Sequence, residues 1–206
     1  MKSESIYTSF KKRLPYLDII GQAQNSKGVS CCCAISPWYV LIADHTRQGD
    51  DNISVQFINE KPNKLVGIEN IYNGGDIALG RLERKTLVKR PSVHYGNVKI
   101  RETCLVAGWG IGNSRELRWG WSNILGTHHT EGFGYIGWSN KHGPIAEPGD
   151  SGGPILVIRN QSLVLAGIII GGNNHSRFKN NLGLSTSLLT QRFAKKGNSP
   201  KNQILI

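Results

Sequence analysis

No acidic residue follows Asp150, so the last quarter of this 206-residue chain carries only positive charge. Its bases are Arg159, Arg177, Lys179, Arg192, Lys195, Lys196 and Lys201, within a whole-chain net charge of +11. Such a region suits an acidic partner, nucleic acid included, although a solvated surface uses the same charges. Cysteine is scarce and badly placed for cross-linking: Cys31, Cys32 and Cys33 are consecutive, and only Cys104 stands apart. Neighbouring cysteines cannot readily bridge each other, which argues against a spread disulfide framework. On a strand, Cys31 and Cys33 face one side and Cys32 the other, as small buried hydrophobes. Cys31, Cys33 and Cys104 lack a metal-ligand spacing, so no metal or cofactor is expected. Apolar runs are too short to span a bilayer, and Met1-Lys2-Ser3-Glu4-Ser5 opens without a signal-peptide core. Together with reduced thiols, this predicts an intracellular protein or a segment cut from a longer precursor.

Helical periodicity is also rare. It is confined to residues 187–196, where Leu188, Leu189, Arg192 and Phe193 have helical spacing. What fills the chain instead is short apolar runs broken by turn residues, with 25 glycines. Runs at 29–35, 38–43, 53–58, 64–72 and 77–82 read as strands. A basic connector spans 83–91. Strands resume at 102–108, 120–127, 132–138, 154–159, 163–170 and 182–187. Many short strands separated by turns argue for an all-β barrel or sandwich, with no internal repeat.

The densest motif is Glu147-Pro148-Gly149-Asp150-Ser151-Gly152-Gly153-Pro154. Glycines flanking a serine let the backbone take φ > 0 and approach a ligand closely. A loop of this kind can aim two N–H groups at an oxyanion while Ser151 attacks an acyl carbon. Serine needs a base for this, usually a histidine oriented by a carboxylate. Of six histidines, His45 ends an apolar run, Leu41-Ile42-Ala43-Asp44-His45. Asp76 opens another, Asp76-Ile77-Ala78-Leu79. Gly149-Asp150-Ser151-Gly152-Gly153 also satisfies the G-x-S-x-G pattern of α/β-hydrolases. Those enzymes place the acid after the serine, and here no acid follows. The order His45, Asp76, Ser151 survives.

Four landmarks in that order resemble the chymotrypsin/trypsin-like serine proteases, from about Val29 to Phe193. They are Ile42-Ala43-Asp44-His45, Asp76-Ile77-Ala78-Leu79, Cys104-Leu105-Val106-Ala107-Gly108-Trp109-Gly110, and Gly149 through Pro154. The resemblance implies two packed antiparallel six-stranded β-barrels with a short C-terminal helix. It divides the chain into an arm (1–28), a barrel carrying His45 and Asp76 (29–90), a barrel carrying Ser151 (91–193) and a basic tail (194–206). It implies a serine endopeptidase in which Ser151 is the nucleophile, His45 the base and then acid, and Asp76 its orienting partner. The N–H groups of Gly149 and Ser151 would form the oxyanion hole.

Departures from the family pattern carry their own expectations. An Ile-Val-Gly-Gly start, whose ammonium would pair with the aspartate before the serine, is not seen, so Asp150 needs another partner. A lysine, an arginine or hydrogen bonds alone would serve, which favours activity without zymogen cleavage. Thr46 replaces the cysteine beside the catalytic histidine, and Val157 stands where the partner of Cys104 would be. The specificity (S1) pocket would have Ile145 at its base and Ile170, Gly171, Gly172 and Gly183 along its walls. An isoleucine cannot pair with lysine or arginine, which predicts cleavage after an apolar or aromatic (P1) residue of a peptide substrate. The alternatives are a protease-like binding module without activity, and a protease that also binds nucleic acid through its basic C-terminal region.

Overall fold

The computed structural model describes residues 17–71, 75–89, 92–93, 98–110, 117–130, 133–138, 144–171 and 182–185. The expected C-terminal helix and basic tail lie outside these residues.

Six strands build a first barrel: β1 (Ile20–Asn25), β2 (Gly28–Ala34), β3 (Tyr39–Ile42), β4 (Ser54–Gln56), β5 (Asn63–Asn70) and β6 (Ala78–Leu82). They close in the order β1-β2-β3-β6-β5-β4, with every pairing antiparallel. The presence of β1 corrects the expectation of an arm over residues 1–28. Ile20-Gly21-Gln22-Ala23-Gln24-Asn25 has few apolar residues and little local strand signal. Pairing with β2 on one edge and β4 on the other makes it a strand all the same, with Ile20 and Ala23 buried.

The second half contains β7 (Ser92–Val93), β8 (Thr103–Gly108), β9 (Arg118–Thr130), β10 (Phe133–Trp138), β11 (Pro154–Arg159), β12 (Ser162–Gly171) and β13 (Leu182–Ser185). Strands run in the order β11-β8-β9-β10-β13-β12, and β11 also pairs with β12, so six of them close on themselves. The two-residue β7 lies parallel along part of β12.

Alternation along β8, β11 and β12 explains how one sheet serves two cores. Cys104, Val106, Ile155, Val157, Val164 and Ala166 point into the second barrel. Leu105, Ala107, Leu156 and Leu165 point the other way and join the core of the first barrel. Strand residues two apart share a face, so each strand lines an interior and an inter-barrel seam at once. The cysteine run follows the same rule. A side chain on Gly21 would strike Cys32 Sγ and the Phe57 ring, which puts Cys32 inside the first barrel. Cys31 instead reaches Gly149 and Trp109 of the other half. A strand buried on both faces reads as an unbroken apolar run, which is why Cys31, Cys32 and Cys33 are all fully buried. All four cysteines are free, and Cys104 lies directly across from Val157.

Candidate active site

The pairing of β3 with β6 brings His45 and Asp76 together. Ile42 is opposite Ala78, and continuing this antiparallel register sets Asp44 beside Asp76. A single 3-10 turn, Asp44–Thr46, then carries His45 off the barrel rim. The His45 backbone N–H donates to Asp76 Oδ1 at 2.7 Å, and His45 Nδ1 lies 2.6 Å from Asp76 Oδ2. An ionised carboxylate can only accept, so the ring proton sits on Nδ1 and Nε2 is left with its lone pair. The hydrogen bond to Asp76 holds the His45 pKa above its ordinary 6.5, against an opposing effect of burial. The imidazole is 45% exposed, open to a reactant on its outer side.

The serine loop is tied down peptide by peptide. The 149–150 peptide has its N–H bonded to the Glu147 carbonyl at 3.0 Å, and its carbonyl accepts from Cys31 Sγ at 3.1 Å. The Asp150 carbonyl accepts from Gly153 N–H at 2.8 Å. The 151–152 peptide is held at both ends, with Cys31 N–H on the Ser151 carbonyl (2.8 Å) and Gly152 N–H on the Ile169 carbonyl (2.7 Å). Two N–H groups remain: those of Gly149 and Ser151 donate to no acceptor among the described residues. Glycine is required at 152, where φ is +89° and a Cβ would run into the Cys31 carbonyl. The grip on β2 also brings the loop towards His45. Cys33 is opposite Leu41, so the same register continued sets Cys31 beside Ala43, two residues before the histidine.

Asp150 is buried and turns away from the loop's open side. Its Oδ1 accepts from Gly110 N–H and its Oδ2 from Glu147 N–H, each at 2.8 Å. Arg118 provides the cation: its Nη2 is 3.9 Å from Asp150 Oδ1 and its Nη1 2.6 Å from Glu147 Oε2. Gly108 has no side chain because the Asp150 carboxylate fills that space. Burial still raises the Asp150 pKa above 3.8, outweighing the two N–H donors and Arg118.

The residues expected around the specificity pocket are spread more widely. Ile145 is exposed, at 54%. Ile170 and Gly171 end β12 just beyond Ile169, and a methyl built on Gly171 would lie 3.9 Å from Ser151 Oγ. Gly183 is buried in the second barrel wall against Ile155. Gly172 lies outside the described residues. Sequence reasoning gave Arg118 no role and read Cys31 only as a small buried hydrophobe. Arg118 offered only a faint signal, as one of two arginines, with Arg115, in the eight residues after the Gly108-Trp109-Gly110 turn. Among the described residues, no cluster of His, Cys, Asp or Glu could hold a metal ion, and no helix could cross a membrane.

Two six-stranded antiparallel barrels, with a His–Asp pair on the first and a glycine-flanked serine on the second, define the chymotrypsin-like architecture. The sequence model of the family described as Trypsin matches residues 18–189, and the chain belongs to that family of serine proteases. No curated protein sequence matches it. Among solved structures it is similar to neuropsin, a serine protease of mouse brain, at 18% identity and a TM-score of 0.71. That match covers 90% of this chain and 97% of neuropsin. It is also similar to an inactivated protease paralogue of the scabies mite, at 16% identity and a TM-score of 0.72, over 88% of this chain and 96% of that one. At such identities the likeness concerns the fold.

Proposed function

We propose that this protein is a serine endopeptidase that cleaves peptide bonds through an acyl-enzyme, using Ser151, His45 and Asp76. The observation that carries this reading is the 2.6 Å contact of His45 Nδ1 with Asp76 Oδ2, which favours the neutral tautomer with its lone pair on Nε2. In the reaction, Nε2 takes the Ser151 hydroxyl proton as Oγ attacks the carbonyl carbon, then returns it to the leaving amine. Water repeats the sequence to release the acid. The free N–H groups of Gly149 and Ser151 support an oxyanion hole, where charge develops on the carbonyl oxygen. Asp76 keeps the ring in the right tautomer and stabilises its cation. Arg118 stands where a cation is needed beside Asp150, which supports activity without a cleaved N-terminus. For specificity, Ile145, Ile170 and Gly171 would form an apolar S1 pocket, favouring apolar or aromatic P1 residues.

A fluorophosphonate serine probe tests this directly. The wild type should label, and Ser151→Ala and His45→Ala should abolish labelling. A folded wild type that does not label would overturn the reading and leave a protease-like binding module in its place.

A further inference from the structure

Cys31 makes more contacts to the serine loop than a filler of the seam between barrels requires. Its backbone N–H holds the Ser151 carbonyl at 2.8 Å, and its own carbonyl abuts Gly152 so closely that a Cβ there would collide. Its thiol donates to the Gly149 carbonyl at 3.1 Å and receives the Trp109 N–H at 3.3 Å. The other four residues at this junction (Gly149, Ser151, Gly152 and Trp109) come from the second half of the chain, whereas Cys31 comes from the first. A single side chain on β2 therefore bridges the Gly108-Trp109-Gly110 turn and the loop bearing the nucleophile.

The backbone contacts would survive substitution by serine or alanine, but the thiol contacts would not. One of them accepts the Trp109 N–H, and the other acts on the 149–150 peptide, whose N–H is bonded to the Glu147 carbonyl. With its carbonyl also held, this peptide cannot rotate, and rotation would re-aim the N–H groups of Gly149 and Ser151 on either side of it. We propose that the Cys31 thiol is a positioning residue that locks the 149–150 peptide and so aims the two N–H groups at the oxyanion. The inference rests on the hydrolytic reading above. For this role the sulfur must stay protonated, because a thiolate could not donate. Burial pushes the Cys31 pKa up to about 12, which keeps it a thiol at any working pH. Cys33, two residues on and equally buried, is bonded to no part of the serine loop and makes a matched control.

The test compares wild type, Cys31→Ser, Cys31→Ala and Cys33→Ala for melting temperature and fluorophosphonate labelling, with reagent affinity separated from the covalent step. Phosphonylation puts negative charge in the oxyanion hole, so its rate reads how well the hole is aimed. Losing one direct oxyanion donor costs about 10²–10³-fold. A residue acting one peptide away should cost less, about tenfold, in the covalent step of Cys31→Ala. Reagent affinity and the acid limb of the pH profile should not move, because His45 and Asp76 are untouched. Cys31→Ser keeps a donor and should stay within about threefold of wild type. Cys33→Ala should lose comparable melting temperature yet label at the wild-type rate. Wild-type labelling by Cys31→Ala, or an equal loss in Cys33→Ala, would overturn the proposal. If Cys31→Ala does not fold, Cys31→Ser decides alone, and a tenfold loss there overturns it. A wild type that fails to label instead removes the hydrolytic reading on which the inference rests.

Discussion

His45 Nδ1 and Asp76 Oδ2 are 2.6 Å apart, and the other oxygen of the same carboxylate holds the His45 backbone N–H at 2.7 Å. One side chain therefore fixes both the position of the histidine and the orientation of its ring. Asp76→Asn would offer an amide N–H to Nδ1 and favour the wrong tautomer. In a triad of this kind such a change lowers kcat by about 10⁴-fold. Steady-state kinetics on a peptide substrate would check it.

The pH profile follows from the same contact. Since Asp76 raises the His45 pKa, activity that needs neutral imidazole should rise with pH along a limb centred above 6.5. Asp76→Asn should move that limb down. For stability the sign is opposite: the contribution of the charged pair is full below 6.5 and is lost as pH rises through the raised folded pKa. Profiles of kcat/KM and of melting temperature should therefore move in opposite directions across this window.

Arg118 and Asp150 form the second electrostatic unit, buried at the base of the loop. Arg118→Met removes the cation and leaves the carboxylate with two backbone donors. Breaking a fully buried pair costs about 3–5 kcal/mol. At 3.9 Å, with Glu147 half-exposed, the loss should be nearer about 2 kcal/mol. Burial already raises the Asp150 pKa, so its contribution to stability falls as pH climbs from 3.8 through the folded value. The variant should show a larger fall over that range in urea unfolding, since nothing then offsets burial except the N–H groups.

Gly152→Ala tests the loop's contact with β2. The new methyl would meet the Cys31 carbonyl at a positive φ, and backbone on both sides cannot yield cheaply. Strain and overpacking together should cost about 2–4 kcal/mol. Loss of labelling accompanied by a lowered melting temperature is the expected result.

Specificity is tested with a peptide-library profile, in which apolar and aromatic P1 residues should dominate. A pocket that discriminates by apolar contact separates neighbouring side chains by about 10–200-fold per methylene. Cleavage after lysine or arginine in the wild type would refute an apolar pocket with Ile145 at its base. Ile145→Asp should introduce such cleavage.

The legibility of this chain varied with the range over which each feature is determined. Strands such as β6 and β8 could be read because period-two or continuous apolar runs need only local information. β1 could not, since Gly21 and Ala23 owe their strand conformation to partners on β2 and β4. His45, Asp76 and Ser151 could be named because their short motifs survive intact and in order. The loss of the Cys104 disulfide was equally legible, and Val157 does lie across from Cys104.

By itself the sequence determined the family, the all-β architecture and the chain order of the three residues proposed for catalysis. Each is written in contiguous stretches whose chemistry is local. Tertiary structure decided what answers the charge of Asp150, because Arg118 lies far from it along the chain and meets it only after β8 and β9 pair. It likewise gave Cys31 a partner in Gly149, across 118 residues, since only the packing of the two barrels brings a strand of the first against the loop of the second.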